Sequence, residues 1–90
     1  MLLDEAIEVA GADMLYCAQR AEEYREGARA FNERLADTPT PIAAEFLRQR
    51  ADDFLRRAAR RELSAQALQV VIDAARKAAR EETKNGDVSA

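Results

Sequence analysis

The side chains that could perform chemistry in this sequence are few, and histidine is absent from the chain. Without histidine, the Ser–His and Cys–His nucleophile arrangements and the usual helical zinc and di-iron motifs are excluded. Neighbouring carboxylates occur as Glu22-Glu23 and Asp52-Asp53, but adjacent residues of a helix point in different directions. These acids therefore predict ion pairs along helix surfaces, such as Asp53 with Arg57, rather than general acid–base catalysis.

The other reactive side chains are the single cysteine, Cys17, and the two tyrosines, Tyr16 and Tyr24. A thiolate nucleophile needs an exposed, electropositive setting, whereas Cys17 lies in an apolar stripe and there behaves as a small hydrophobe. The chain also lacks a glycine-rich phosphate loop. The sequence therefore predicts no catalytic residue, no metal site and no cofactor, and we expect that the protein is not an enzyme.

The most conspicuous charged feature is the arginine-rich segment from Arg48 to Arg61. Such a segment can contact the phosphates of a nucleic acid, or it can form a solvated surface that docks onto a protein. Binders of single-stranded nucleic acid interleave aromatic side chains on which the bases stack, and we expect none on the outer face of this segment. Protein docking is the preferred interpretation. The predicted charged docking face consists of Arg50, Arg56, Arg57 and Arg60.

Charge is unevenly distributed along the chain, although the net charge is only −3. Residues 1–47 carry ten acids and four bases, while residues 48–80 carry nine bases and four acids. A typical nucleic-acid-binding domain is basic overall. The opposite signs of the two halves predict two helices that attract each other.

The elements that must position these side chains are helices, because alanine dominates the apolar residues while glycine and proline are rare. Two apolar stripes alternate spacings of three and four residues, which is typical of a heptad pattern. We call these stripes seam 1 and seam 2. Seam 1 consists of Leu3, Ile7, Ala10, Met14, Cys17, Ala21, Tyr24, Ala28, Phe31 and Leu35. Seam 2 consists of Ala44, Leu47, Ala51, Phe54, Ala58, Arg61, Ala65, Leu68, Ile72, Ala75 and Ala79, and Arg61 is the one defect in its apolar pattern.

One strong break separates the two seams, at the segment Asp37-Thr38-Pro39-Thr40-Pro41. Residues that precede a proline avoid the helical conformation, whereas Pro41 suits the first position of a new helix. Asn85-Gly86 offers a stop for that second helix. The predicted single domain, residues 1–84, comprises a helix at about 4–36, a turn at 37–41 and a helix at about 41–83, and a disordered tail follows at 85–90.

A competing prediction divides the second segment near Ser64. Leu63, Ser64 and Leu68 fit a hydrophobic staple around a helix N-cap. A break at this point would give a three-helix bundle. The chain has no Gly, Pro or Asn immediately before Ser64 to form the turn, so the continuous helix is preferred.

The two ends of the predicted hairpin differ in apolar content. An antiparallel hairpin about residues 38–41 places residues 2–16 beside residues 63–77, and both stretches have more apolar side chains than the seams use. Near the tip of the hairpin, by contrast, the residues off the seams are mostly charged. A second copy that completes a four-helix bundle, or another protein, would cover the surplus. The predicted partner or dimer face consists of Leu2, Val9, Leu15, Tyr16, Leu63, Val70 and Val71.

These features together predict an all-α, non-catalytic protein–protein interaction module that forms a homodimer. Such a module would be a small regulator, adaptor or inhibitor, including the phage type that counters host defence, and would dock onto a larger protein. The alternative is a small nucleic-acid-binding regulator that uses the arginines of residues 48–61. With no run of about 18 apolar residues to span a membrane and no basic secretory leader, we expect a cytoplasmic protein.

Overall fold

Two long helices form an antiparallel hairpin in the computed structural model, which describes the backbone of residues 2–89 and the side chains of residues 2–82. Helix α1 (Leu2–Leu35) packs along helix α2 (Pro41–Ser89). The hairpin is a rod with extents of 75 × 15 × 13 Å. The all-α hairpin predicted from the seams is therefore confirmed. Within the described residues, neither helix has a stretch long and apolar enough to cross a membrane.

The turn between the helices is stabilised by backbone and hydroxyl hydrogen bonds. At the end of α1, where carbonyls lack donors within the helix, the carbonyl oxygen of Arg34 accepts from the Asp37 N–H at 3.2 Å and from the Thr38 hydroxyl at 2.7 Å. At the start of α2, the Ala43 N–H donates to the Thr40 hydroxyl oxygen at 3.3 Å. Thr40 is thus the N-cap, and Pro41 is the first helical residue, which is the position that the sequence predicts for it.

Helix α2 is continuous through Ser64, so the three-helix alternative is wrong. The Ser64 hydroxyl donates to the carbonyl oxygen of Arg60 at 3.1 Å, which is the bond that a serine inside a helix makes with the preceding turn. A serine engaged in this way does not cap a new helix. Without a Gly or Pro to break the chain, the seam continues into the second half of α2.

The end of α2 differs from the predicted boundary near Thr83, because the helix reaches Ser89. Asn85-Gly86 does not stop the helix, because it contains no proline and one glycine inside a helix costs only about 1 kcal/mol relative to alanine. The segment 85–90, predicted as a disordered tail, lies outside the residues whose side chains are described.

The core of the hairpin consists almost entirely of small side chains. Every member of the two seams is buried or half-buried, and no residue off the seams is fully buried within the described part of the chain. Alanine at the contact allows two helices to approach closely, but each alanine buries little apolar surface. The fully buried residues are Ala10, Cys17, Ala21, Ala28, Ala51, Ala58 and Ile72.

The largest side chains of the interface meet at one place, where Phe54 of α2 lies against α1. The Phe54 ring contacts Tyr24 and Phe31 edge-to-face, with centroid distances of 5.6 and 5.2 Å. Gly27 lies beneath this ring, and a Cβ atom at that position would stand 2.5 Å from two Phe54 ring carbons. The missing side chain of Gly27 is therefore what allows Phe54 to pack onto the backbone of α1.

The two glycines of α1 provide a matched pair of substitutions. Gly11→Ala is expected to raise the free energy of unfolding by about 1 kcal/mol, because alanine is the better helix former and nothing lies within 4 Å of the added methyl. Gly27→Ala is expected to lower it by about 1–2 kcal/mol, because displacement of Phe54 outweighs the same helical gain. Urea unfolding followed by circular dichroism, at one protein concentration, measures both. Equal stabilisation by the two substitutions would contradict the packing described for Phe54.

Candidate partner-binding surface

The contacts between the helices distinguish two long sides of the hairpin. On one side, the guanidinium of Arg61 lies over the Tyr16 ring at 5.5 Å, and that of Arg57 lies over the Tyr24 ring at 5.9 Å. We call this the ring side, and Gly27 with Phe54 belongs to it. On the other side, Arg25 forms an ion pair with Glu62. We call this the Leu55 side, after the open groove lined by Glu22, Arg25, Ala28, Arg29, Asn32 and Leu55.

The ring side concentrates the aromatic and arginine side chains. The chain has two tyrosines, three phenylalanines and no tryptophan, and all five rings lie on this side through the contacts above and through Phe46, whose ring lies under the Arg50 guanidinium at 5.8 Å. Arg50 stands one heptad before Arg57, which fixes its side. Tyrosine and arginine are the residues enriched where protein interfaces bind most strongly. The ring side therefore has the composition of an interaction surface.

The Tyr24 hydroxyl lies among arginine side chains on this side. Arg20 donates a hydrogen bond to the Tyr24 hydroxyl oxygen at 3.0 Å, and this bond is the main cause that lowers the pKa of Tyr24 below its ordinary value. Arg57 contributes to the same shift more weakly. Arg20 also pairs with Glu23, and that hydrogen bond is the main cause that raises the pKa of Arg20. These contacts tie Tyr24 to both helices and leave its ring half-buried.

The predicted apolar face is exposed at every position. Leu2, Val9 and Tyr16 recur at heptad spacing along α1, so all three share the side on which Tyr16 contacts Arg61. Val71 stands two heptads after Arg57 and therefore faces the same side from α2. These four residues form one apolar patch at the open end of the hairpin, which we call the open-end patch.

The structure does not bring the other three predicted residues into this patch. Leu63 and Val70 lie one and two heptads after Arg56, on the outer edge of α2 that faces away from α1. Leu15 stands one heptad before Glu22 and belongs to the Leu55 side. All three are exposed, whereas the open-end patch combines residues of both helices on one side.

The ion pairs do not show the predicted attraction between an acidic α1 and a basic α2. Of the pairs formed within the described residues, the one that joins the helices runs the other way, from Arg25 of α1 to Glu62 of α2. The remaining pairs lie within one helix, as in the pairing of Glu22 with Arg25 and Arg29, which lowers the pKa of Glu22. Small side chains occupy the seams, where the two helices touch. The opposite net charges of the two halves of the chain therefore lie on the outward faces of the helices and not across the contact between them.

The predicted charged docking face is exposed but divided. Arg50, Arg57 and Arg60 lie on the ring side, whereas Arg56 lies on the outer edge of α2. The predicted pair of Arg57 with Asp53 is present at 3.0 Å. Among the described residues, Arg50, Arg56 and Arg60 form no ion pair. Three of the four arginines thus leave their charge available to another molecule.

Two exposed apolar residues lie near the tip, where the sequence predicts mostly charged positions. Ile42 is 85% exposed and Phe46 is 58% exposed. They stand four residues apart on α2 and share a shallow groove with Pro41, Glu45 and Gln49. This i, i+4 spacing was the available signal, because such a pair lies on one helix face. The tip therefore presents a second apolar patch beside Arg50.

The hairpin exposes more surface than a compact protein of its size. Its accessible area is 6860 Å², compared with about 5,200 Å² expected for a compact monomer of 10.0 kDa. The radius of gyration is 20.9 Å, compared with about 12 Å for a compact domain of this length. The extended hairpin therefore leaves surface on both helices for other contacts.

Comparison with protein-family models, with curated proteins and with solved structures found no match to this chain. Within the described residues, no cluster of three or more acidic or Cys side chains is arranged to hold a metal ion.

Proposed function

We propose that this chain is a non-catalytic helical interaction module, a small regulator, adaptor or inhibitor, that acts by binding proteins. The observation that carries the proposal is the open-end patch of Leu2, Val9, Tyr16 and Val71, which is exposed on both helices. An apolar patch that spans two helices marks a binding surface. The module would form a homodimer through this patch and dock onto a larger protein, as an inhibitor of the phage anti-defence type would.

The arginine and aromatic residues between the open-end patch and the tip support docking onto an acidic protein surface. The Arg50 guanidinium stacks on Phe46, and Arg60 has no acidic partner among the described residues. A guanidinium held against a ring keeps its forked donors free for carboxylates. Salt bridges on the surface of one helix contribute only about 0.3–0.5 kcal/mol each, so the Asp53 pair would not prevent Arg57 from turning to a partner.

A nucleic-acid-binding regulator is the second candidate, and one observation favours it. Exposed Phe46 and half-exposed Tyr16 lie beside Arg50 and Arg61 on the ring side, so aromatic side chains do interleave with the arginines. Single-strand binders have this composition. Against this candidate, the guanidiniums already cover these ring faces, and the chain as a whole carries a net charge of −3.

A charge-reversal experiment distinguishes the two candidates. Arg50→Glu/Arg60→Glu removes two ring-side arginines, and Arg48→Glu/Arg76→Glu makes the same change of net charge on the Leu55 side. In a gel-shift titration at low salt with a single-stranded oligonucleotide, we expect the wild type and both variants to bind equally weakly. Contacts to phosphates would instead give tight binding that falls steeply with salt.

Tight oligonucleotide binding that only the Arg50→Glu/Arg60→Glu variant loses would replace the protein-binding proposal with the nucleic-acid candidate. Loss of oligonucleotide binding in both variants would indicate general electrostatic attraction. This result would not support a nucleic-acid site on the ring side, and the protein-binding proposal would stand.

A further inference from the structure

We infer that two copies of this chain overlap only at their open ends, with the open-end patches together and the tips pointing in opposite directions. The two-fold axis that relates the two copies of this staggered antiparallel dimer lies at the level of Val9 and Val71 along the hairpin. The inference deepens the proposed function, since it depends on homodimer formation and specifies which face and which arrangement the second copy takes.

The register of the hairpin places Val9 and Val71 side by side. Gly27 lies opposite Phe54, and moving 18 residues back along α1 and 18 forward along α2 pairs Val9 with Ile72, next to Val71. The burial of Ala10 and Ile72 at this level agrees with that register. A two-fold axis here makes each valine face its own equivalent.

The apolar residues that α1 exposes on the ring side are arranged symmetrically about Val9. Leu2 stands seven residues before Val9, and Tyr16 stands seven residues after it. An antiparallel second copy therefore places its Tyr16 against Leu2, and its Leu2 against Tyr16. Such self-complementarity is what an isologous two-fold interface requires.

Opposite charges also meet at the ends of this overlap. In this arrangement, residues of α2 at equal distances from Val71 face each other, so Arg60 and Arg61 lie at the level of Glu82 and Glu81 of the second copy. Both acids are exposed. The pairing extends the apolar contact with opposite charges at each end of the overlap, and it occurs twice because of the symmetry.

A parallel dimer, with both tips at the same end, would bring like charges together. The ring sides would then place Arg50 and Arg60 of one copy, which form no ion pair among the described residues, at the same level as the same residues of the other. Like charges that face each other across an interface cost several kcal/mol. The stagger avoids this contact and leaves Arg50 and Phe46 of each arm open.

The surface area of the hairpin is sufficient for such a contact. The chain exposes 6860 Å², roughly 1,600 Å² more than a compact protein of equal mass. A stable interface of standard size removes about 800 Å² from each partner. One open-end contact therefore accounts for part of the excess, and the remainder lies along the two arms.

Crosslinking and distance measurements test this arrangement in a Cys17→Ala background, which removes the native thiol. Val9→Cys should form a disulfide-linked dimer under mild oxidation, since the two residues meet at the axis. Leu15→Cys is the matched control, because Leu15 is 58% exposed and Val9 is 61% exposed on the same helix, but on different sides. Glu33→Cys, labelled with a donor and an acceptor dye, should show almost no energy transfer. The two labelled positions of the dimer would be about 70 Å apart, at a helical rise of 1.5 Å per residue.

Light scattering on the same samples separates the possible failures. A dimeric mass together with strong energy transfer at Glu33→Cys overturns the staggered arrangement, and so does a dimeric mass with crosslinking at Leu15→Cys instead of Val9→Cys. In both cases the homodimer itself stands. A monomeric mass at high concentration overturns both the arrangement and the dimer of the proposed function.

Discussion

Replacing Phe54 with alanine is expected to lower the free energy of unfolding by about 3 kcal/mol. The Phe54 ring is the largest side chain of seam 2, and it contacts Tyr24 and Phe31 edge-to-face over the gap left by Gly27. The rest of the seam is mainly alanine, so no neighbour can fill the resulting cavity. Urea unfolding monitored by helical circular dichroism gives the value, at a fixed protein concentration because dimer formation also affects stability.

Leu55→Ala provides the control for this substitution. Leu55 is the next residue of the same helix and is 46% exposed on the Leu55 side, so its truncation should cost about 1 kcal/mol or less. Similar losses for the two variants would show that the aromatic contact does not stabilise the hairpin more than an ordinary surface side chain.

Replacing Val9 with glutamate is expected to raise the dissociation constant of the dimer by at least ~100-fold, since a carboxylate without a partner is costly to bury. Two-fold symmetry places the two new charges against each other. Sedimentation equilibrium of the wild type and of the variant measures the change, and circular dichroism checks that the helices remain.

Leu15→Glu and Val70→Glu test whether the effect is specific to the ring side. Leu15 lies on the Leu55 side and Val70 on the outer edge of α2, so each should change the dissociation constant much less than Val9→Glu. If Leu15→Glu dissociates the dimer and Val9→Glu does not, the second copy binds the Leu55 side.

The helices and their turn could be predicted from the sequence because each depends on local residues. The spacing of seams 1 and 2 determines which face of each helix is buried, and Thr40 with Pro41 determines where α2 begins. Ser64 was ambiguous, since its hydroxyl can cap a helix or bond back to the preceding turn. The choice depends on the residues around it, none of which breaks the helix.

The contacts across the hairpin could not be predicted, because they depend on the register of one helix against the other. A shift of a few residues would separate Phe54 from Gly27 and would bring other charges together in place of Arg25 and Glu62. The division of the exposed apolar residues also required this register, since it places Val71 with Val9 and Leu15 on the opposite side.

The most direct test of the proposed protein-binding module is the mass of the wild-type chain in solution, measured by sedimentation equilibrium over a wide concentration range. The open-end patch predicts a mass of twice the 10.0 kDa chain at micromolar concentration. A mass of 10.0 kDa that persists to the highest concentration would contradict the claim that a second copy covers this patch.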